Sequence, residues 1–134
     1  MIPGHLTTNK KRLSVLLYAC ATFFVIGAVI HELGLTLWPW YVSSLYSPYH
    51  DTLLAISSIA MAVFFLYGAR NPDNKKLTSA IKAALLISAP LIIAMGFLVD
   101  FSSYGTEATA KGGQAVIEGV AAALVAGAIH YLQE

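Results

Sequence analysis

"LSVLLYACATFFVIGAVIHELGLTL", residues 13–37, runs from Leu13 to Ile30 without a formally charged side chain and then meets His31 and Glu32. About 20 mostly apolar residues in helical conformation cross the ~30 Å hydrocarbon core of a bilayer. The stretch therefore predicts a transmembrane helix, and the rest of the chain is read around it. Lys10, Lys11 and Arg12 stand directly before it. "LYAC" at 17–20 resembles a lipoprotein cleavage box, and "ACA" at 19–21 a small-x-small cleavage site. Only seven residues separate Arg12 from Cys20, the low limit for a signal h-region, and the residues after Cys20 stay apolar. The stretch is read as a retained helix.

Composition agrees. The chain has 134 residues, 57% hydrophobic and only 11% charged, with mean hydropathy +0.69. A soluble domain carries about 25% charged residues, so this chain lacks the polar surface to cover a water-facing globule. Lipid is the expected solvent. A net charge of +1 gives no case for nucleic-acid binding. The single cysteine, Cys20, forms no intrachain disulfide, and no C-x-x-C or zinc spacing is present. No cofactor is expected.

Three further segments, about 51–69, 77–101 and 113–132, are apolar enough to follow the first at about 13–37. The connections are short, so neighbours run antiparallel. The expected fold is all-α: one integral membrane domain over residues 1–134, an antiparallel bundle of four transmembrane helices. Seven of the eight basic residues (Lys10, Lys11, Arg12, Arg70, Lys75, Lys76 and Lys82) share one end, and only Lys111 lies at the other. The positive-inside rule then puts both termini in the cytoplasm of a multi-pass cell-membrane protein. Glu32, Asp51, Asp100, Glu107 and Glu118 gather at the outer end, with His31 and His50. The outer connection "WPWYVSSLYSPYHD" is rich in Trp and Tyr, as interfacial belts are, and Pro39 and Pro48 predict an irregular lid.

Small residues predict how the helices pack, because lipid gives apolar helices no hydrophobic reason to associate. Ala115, Gly119, Ala123 and Gly127 recur every four residues in the last helix, flanked by Glu118, Ala122 and Ala126. Ala80, Ala84, Ser88 and Gly96 offer a similar face in the third helix, and Ser57, Ser58 and Ala62 in the second. Pro90 removes a hydrogen bond from the third helix and frees the carbonyl of Leu86, which Ser88 or a neighbouring helix is expected to satisfy.

The titratable groups are the candidates for chemistry. Glu32 lies roughly 28 Å along the first helix from Leu13, near the top of the core, and Glu118 roughly 7 Å below the outer surface. A charge inside the bilayer is costly, and Glu118 carries the largest unexplained cost. Glu118, Glu32, His31, Asp51, His50 and Asp100 are candidate ligand- or proton-binding residues, converging on a polar pocket under the lid. The plain alternative is a rim of interfacial side chains, with Asp51 answering a helix dipole and Glu118 locking helix packing by a hydrogen bond. His31 and His50 are the candidates for a metal, though no spacing supports one. His31 and Glu32 point about 100° apart on a helix, so at most one faces inward. "HELGL" carries only the first half of H-E-x-x-H, and no G-x-S-x-G is present.

Size and span number invite comparison with small multidrug-resistance exporters, but that family's defining glutamate sits in the middle of helix one, where this chain has Tyr18 to Val25 without an acid. "AVFFLYGARNPDNKKLTSAI", residues 62–81, with the outer "LWPWY", resembles a group of bacterial four-helix small integral membrane proteins of unknown function. There an apolar second helix ends in an Ala-Arg-Asn-Pro-type turn before the third. The resemblance covers about half the chain and implies the four-helix fold without implying a chemistry. The group's third helix commonly carries a histidine, where this chain has Ala89-Pro90.

The leading expectation is a non-enzymatic accessory or stabilising subunit of a larger membrane complex. Its partners would be the lipid bilayer and either other membrane subunits or further copies of itself. A small-ligand-binding or proton-coupled carrier using Glu118 and Glu32 is the first alternative, and a metal-dependent membrane enzyme the second.

Overall fold

The computed structural model describes residues 7–37, 41 and 45–133, apart from the side chain of residue 107. The expected tryptophan-proline lid, residues 38–40, falls outside them. Four long helices carry the fold: α1 Thr8–Leu33, α2 Pro48–Arg70, α3 Lys75–Leu98 and α4 Lys111–Gln133. All four are long and apolar enough to cross a membrane.

Local chemistry sets their ends, and these differ from the hydropathy boundaries by a few residues. The Thr7 hydroxyl accepts from Lys10 N–H at the start of α1. At the other end Gly34 adopts φ +58°, a left-handed conformation that glycine takes at little cost. Gly34 N–H donates to His31 O and Leu35 N–H to Ile30 O, so α1 stops at Leu33 although apolar residues continue to Leu37. Leu37 and Tyr41 then exchange backbone hydrogen bonds of 2.8 and 2.9 Å. Pro48 is the first residue of α2, where its missing N–H costs nothing, so the helix starts three residues before Asp51. The Asn74 side chain accepts from Leu77 N–H to open α3. α3 ends at Leu98, and Asp100 caps a short 3-10 helix, Phe101–Tyr104, rather than extending the span.

The helices pack in pairs, α1 with α2 and α3 with α4. Both pairs are antiparallel. Ser14 at the start of α1 donates to the carbonyl of Ala69 at the end of α2, at 2.7 Å. Gln133 at the end of α4 donates to the Thr78 hydroxyl at the start of α3. Each buried face advances in steps of three and four residues, the spacing that keeps side chains on one side of a helix of 3.6 residues per turn. In α1 the face is Leu13, Leu17, Ala21 and Ala28; in α2 it is Asp51, Ala55, Ala62, Phe65 and Ala69. In α4 it is Ala115, Gly119, Ala126 and Ile129, with Ala122 packed beside them.

The expected four-residue stripe of α4 therefore holds only in part. Ala115 and Gly119 are buried, but Ala123 and Gly127 are exposed. A strict step of four drifts about 40° per repeat on a 100° helix, so it leaves the contact face within three repeats. Ala80 is likewise exposed in α3. The Ser88 hydroxyl donates to Ala84 O at 2.8 Å, not to the Leu86 carbonyl. At the α3–α4 crossing a methyl group added to Gly119 would sit 2.5 Å from Ile93 Cγ1 and 2.8 Å from Ala89 O. The two backbones approach closely only because glycine stands there.

The two hairpins join at the end that carries the basic residues. Leu13, Leu17, Phe65, Ile81, Leu85 and Ile129 form one apolar cluster drawn from all four helices. Phe24 stacks on Phe65 at its upper edge, with ring centroids 5.5 Å apart. The bundle's outside remains apolar: Phe97 is 76% exposed and Leu98 82%. So much large apolar surface is consistent with a multi-pass membrane protein.

Candidate functional site

At the far end from the basic residues the seam between α1 and α2 closes on polar groups instead of apolar ones. His31 falls on the same face of α1 as Ala21 and Ala28, and Asp51 on the same face of α2 as Ala55 and Ala62. The two meet, with His31 Nδ1 2.6 Å from Asp51 Oδ1. Tyr41 O–H donates to the same oxygen at 2.9 Å, and Ser47 N–H donates to Oδ2 at 2.6 Å. Asp51 is 3% exposed. A buried carboxylate persists only when its lone pairs are met, and here three donors meet them.

Helix termini favour the arrangement. His31 lies in the last turn of α1, where the helix dipole favours a proton, and Asp51 in the first turn of α2, where it favours a carboxylate. Asp51, four residues after the N-cap Ser47, also accepts from the Ser47 backbone N–H. Tyr41 packs its ring edge-on to His31, centroids 4.9 Å apart. Burial first, and then donation to Asp51, pushes the Tyr41 hydroxyl well above its usual range, so it stays protonated. With Asp51 ionised, Nδ1 of His31 carries the proton it shares, which fixes the imidazole's orientation.

His31 and Tyr41 form one wall of a cavity of about 380 Å³ between the two hairpins. Lys111 and Glu118 of α4 form the facing polar wall, 4.0 Å apart, and Phe23, Phe24, Ile26 and Ile30 line the apolar side. Ligand sites fall in the range of about 300–1,000 Å³ and combine apolar walls with a few convergent polar groups. Gly27 also lines this space, and a Cβ added there meets nothing within 4 Å.

The candidates from sequence are thus divided. His31, Asp51 and Glu118 sit in or behind one site. Glu32 is exposed, one residue and about 100° around the helix from His31. His50 is exposed, and its Nδ1 lies 3.0 Å from Ser47 Oγ. Asp100 is exposed and accepts from Ser102 N–H in its own turn. Among the described residues no three His, Cys, Asp or Glu side chains are grouped to hold a metal. Two lining residues escaped the sequence reading. Lys111 entered it only as a topological exception, and Tyr41 only as part of an aromatic belt. Gln114, 6% exposed with neither amide atom hydrogen-bonded, does not line the cavity. The signal that finds His31 and Asp51 is register: each continues the three-and-four spacing of a run of alanines.

Fold and site together define an all-helical protein of two hairpins with membrane-spanning proportions and a polar cavity at one end. No protein-family model, curated protein or solved structure matches the chain.

Proposed function

We propose that this chain is a multi-pass membrane protein that binds a small lipid-soluble ligand between its hairpins, with His31 exchanging a proton with what is bound. One observation carries the reading: the cavity takes polar groups from both hairpins, and one of them, His31, is held by a buried carboxylate. Nδ1 is committed to Asp51, so proton exchange falls to Nε2. A buried carboxylate behind an imidazole fixes its tautomer, as it does for histidines in proton-transfer sites. The cavity lies between helices whose outward surfaces are apolar, so entry is lateral and favours a molecule that partitions into lipid.

Gly27→Trp tests this. The indole grows into the cavity from a position with open space around it. Protein extracted in mild detergent is expected to carry a bound small molecule in native mass spectra, and Gly27→Trp to lose it while keeping its unfolding midpoint. Equal bound mass in both proteins, or none in the wild type, overturns the proposal.

The basic residues support a topology with both termini and the α2–α3 turn in the cytoplasm. In a Cys20→Ala background, a membrane-impermeant maleimide applied to intact cells then labels Ser103→Cys and not Lys76→Cys; the reverse pattern refutes this orientation. A second reading, a subunit that packs on other membrane proteins or on its own copies, rests on the exposed Ala123 and Gly127 of α4. Gly127 has nothing within 4 Å of an added Cβ, so another helix can approach there. A solitary monomer in native mass spectra counts against that reading.

A further inference from the structure

Hydroxyl groups inside the long helices follow one habit. Thr22, Ser57 and Ser88 each donate to the carbonyl four residues back in their own helix, at 3.0, 2.8 and 2.8 Å. Ser58, the next residue after Ser57, makes no such bond among the described residues. It is half-buried and lines the cavity between the hairpins. There it offers a donor and an acceptor to whatever fills the space.

Its level matters. His31 meets Asp51 at the top of the α1–α2 seam. Ser58 follows Asp51 by seven residues, two turns along the same face of α2. At ~1.5 Å per residue Ser58 therefore stands roughly 10 Å below His31. Both line one cavity, and Phe24, Gly27 and Ile30 of α1 line it at and between those levels. Nδ1 of His31 is held by Asp51, which leaves Nε2 for the occupant. The facing wall adds no net charge, because the Lys111 ammonium and the Glu118 carboxylate stand 4.0 Å apart and offset each other. The space thus fits a neutral head with a polar atom at each end and an apolar body between.

A para-quinol ring has that form. Its two oxygens lie at opposite ends of a flat apolar ring, and a hydrogen bond of about 2.8 Å at each end extends its reach to groups so far apart. We infer that the cavity binds a lipid-tailed para-quinol, or the quinone of the same skeleton, with one oxygen at His31 Nε2 and the other at the Ser58 hydroxyl. The quinol O–H donates to a neutral Nε2, and the quinone carbonyl accepts from a protonated one. At the lower end the Ser58 hydroxyl accepts from the quinol or donates to the quinone. The tail leaves past Phe23 and Ile26, which line the cavity and are 58% and 52% exposed. This inference rests on the ligand-binding reading and narrows it to one class of ligand.

The test is competition against tritiated decylhydroquinone on the purified full chain in nanodiscs, kept anaerobic. Decylphenol has one oxygen, and decylcatechol has two on neighbouring carbons, so neither reaches both levels. Each is expected to compete at least about tenfold more weakly than unlabelled decylhydroquinone. In Ser58→Ala the advantage of decylhydroquinone over decylphenol falls to within about twofold, while decylphenol itself binds as it does to the wild type. Should Ser58→Ala fail to fold, Ser58→Cys, a weaker donor, provides the same comparison. Decylcatechol or decylphenol matching decylhydroquinone on the wild type overturns the two-ended head. An advantage that survives Ser58→Ala, or binding that Gly27→Trp leaves intact, overturns the assigned pose. If no quinol binds but Gly27→Trp still removes a co-purifying molecule, only this inference fails. If nothing sensitive to Gly27→Trp binds, the ligand-binding reading fails with it.

Discussion

Replacing Asp51 tests the polar closure of the α1–α2 seam directly. Three donors converge on its carboxylate: His31 Nδ1, Tyr41 O–H and Ser47 N–H. Hydrogen bonds between membrane helices average about 0.6 kcal/mol and reach about 1.7 kcal/mol, because the unfolded chain in the membrane also finds partners. Three such bonds make Asp51→Leu destabilising by about 2 to 5 kcal/mol, with Tyr41 and Ser47 left facing an apolar group. Asp51→Asn differs in kind. One amide oxygen can still accept from Ser47 N–H, but the amide nitrogen then faces His31 Nδ1, donor against donor. The imidazole relieves this by moving its proton to Nε2 so that Nδ1 accepts, and the Tyr41 hydroxyl rotates to accept as well. Asp51→Asn therefore costs about 1 kcal/mol and changes the tautomer of His31. Equilibrium unfolding in mixed micelles measures the energies, and nitrogen-15 NMR of the histidine side chains reads the tautomer. A double-mutant cycle of Asp51→Leu with His31→Leu isolates their pair, with an expected coupling of about 1 to 1.7 kcal/mol. The reasoning is refuted if Asp51→Leu costs less than about 0.5 kcal/mol, the scatter of surface substitutions. An unchanged His31 tautomer in Asp51→Asn refutes the assignment of the shared proton.

Two further outcomes follow from the packing and the titration. Gly119→Ala places a methyl 2.5 Å from Ile93 Cγ1 and 2.8 Å from a backbone oxygen, so it forces α3 and α4 apart. The expected loss is about 1 to 3 kcal/mol, whereas Gly127→Ala, in open space, gains up to about 1 kcal/mol of helix propensity. Equal effects at the two glycines in the same unfolding assay contradict the assigned contact face. Tyr41 has a folded-state pKa above its unfolded value near ~10, so its contribution is complete below that pH and fades as pH climbs past it. Tyr41→Phe is expected to flatten the alkaline limb of the stability–pH profile; an identical limb in both proteins rules out the buried hydroxyl as its source.

The candidate site was legible in the sequence only in outline. The acids and histidines at one end stood out because charge is rare in a chain this apolar. Which of them meet was a matter of angle. His31 and Glu32 are neighbours in sequence but about 100° apart on the helix, and the partner helix settles which one turns inward. His31 continues the alanine register and meets Asp51, while Glu32 faces outward.

By itself the sequence determined the long apolar helices, their short connections and the location of their ends to within a few residues. These depend on hydropathy over a span; the exact ends, at Gly34 and Pro48, come from local capping that hydropathy does not read. Tertiary structure decided the rest. It joined the hairpins through one apolar cluster at the basic end and left a cavity between them at the other. It also moved the contact face of α4 off the four-residue stripe and onto Ala115, Gly119, Ala122, Ala126 and Ile129. The physical reason is that lipid rewards an apolar residue on any face of a helix equally. Hydropathy therefore says that a helix is apolar enough to cross a membrane, and only close backbone approach and hydrogen bonding between helices say which way it turns.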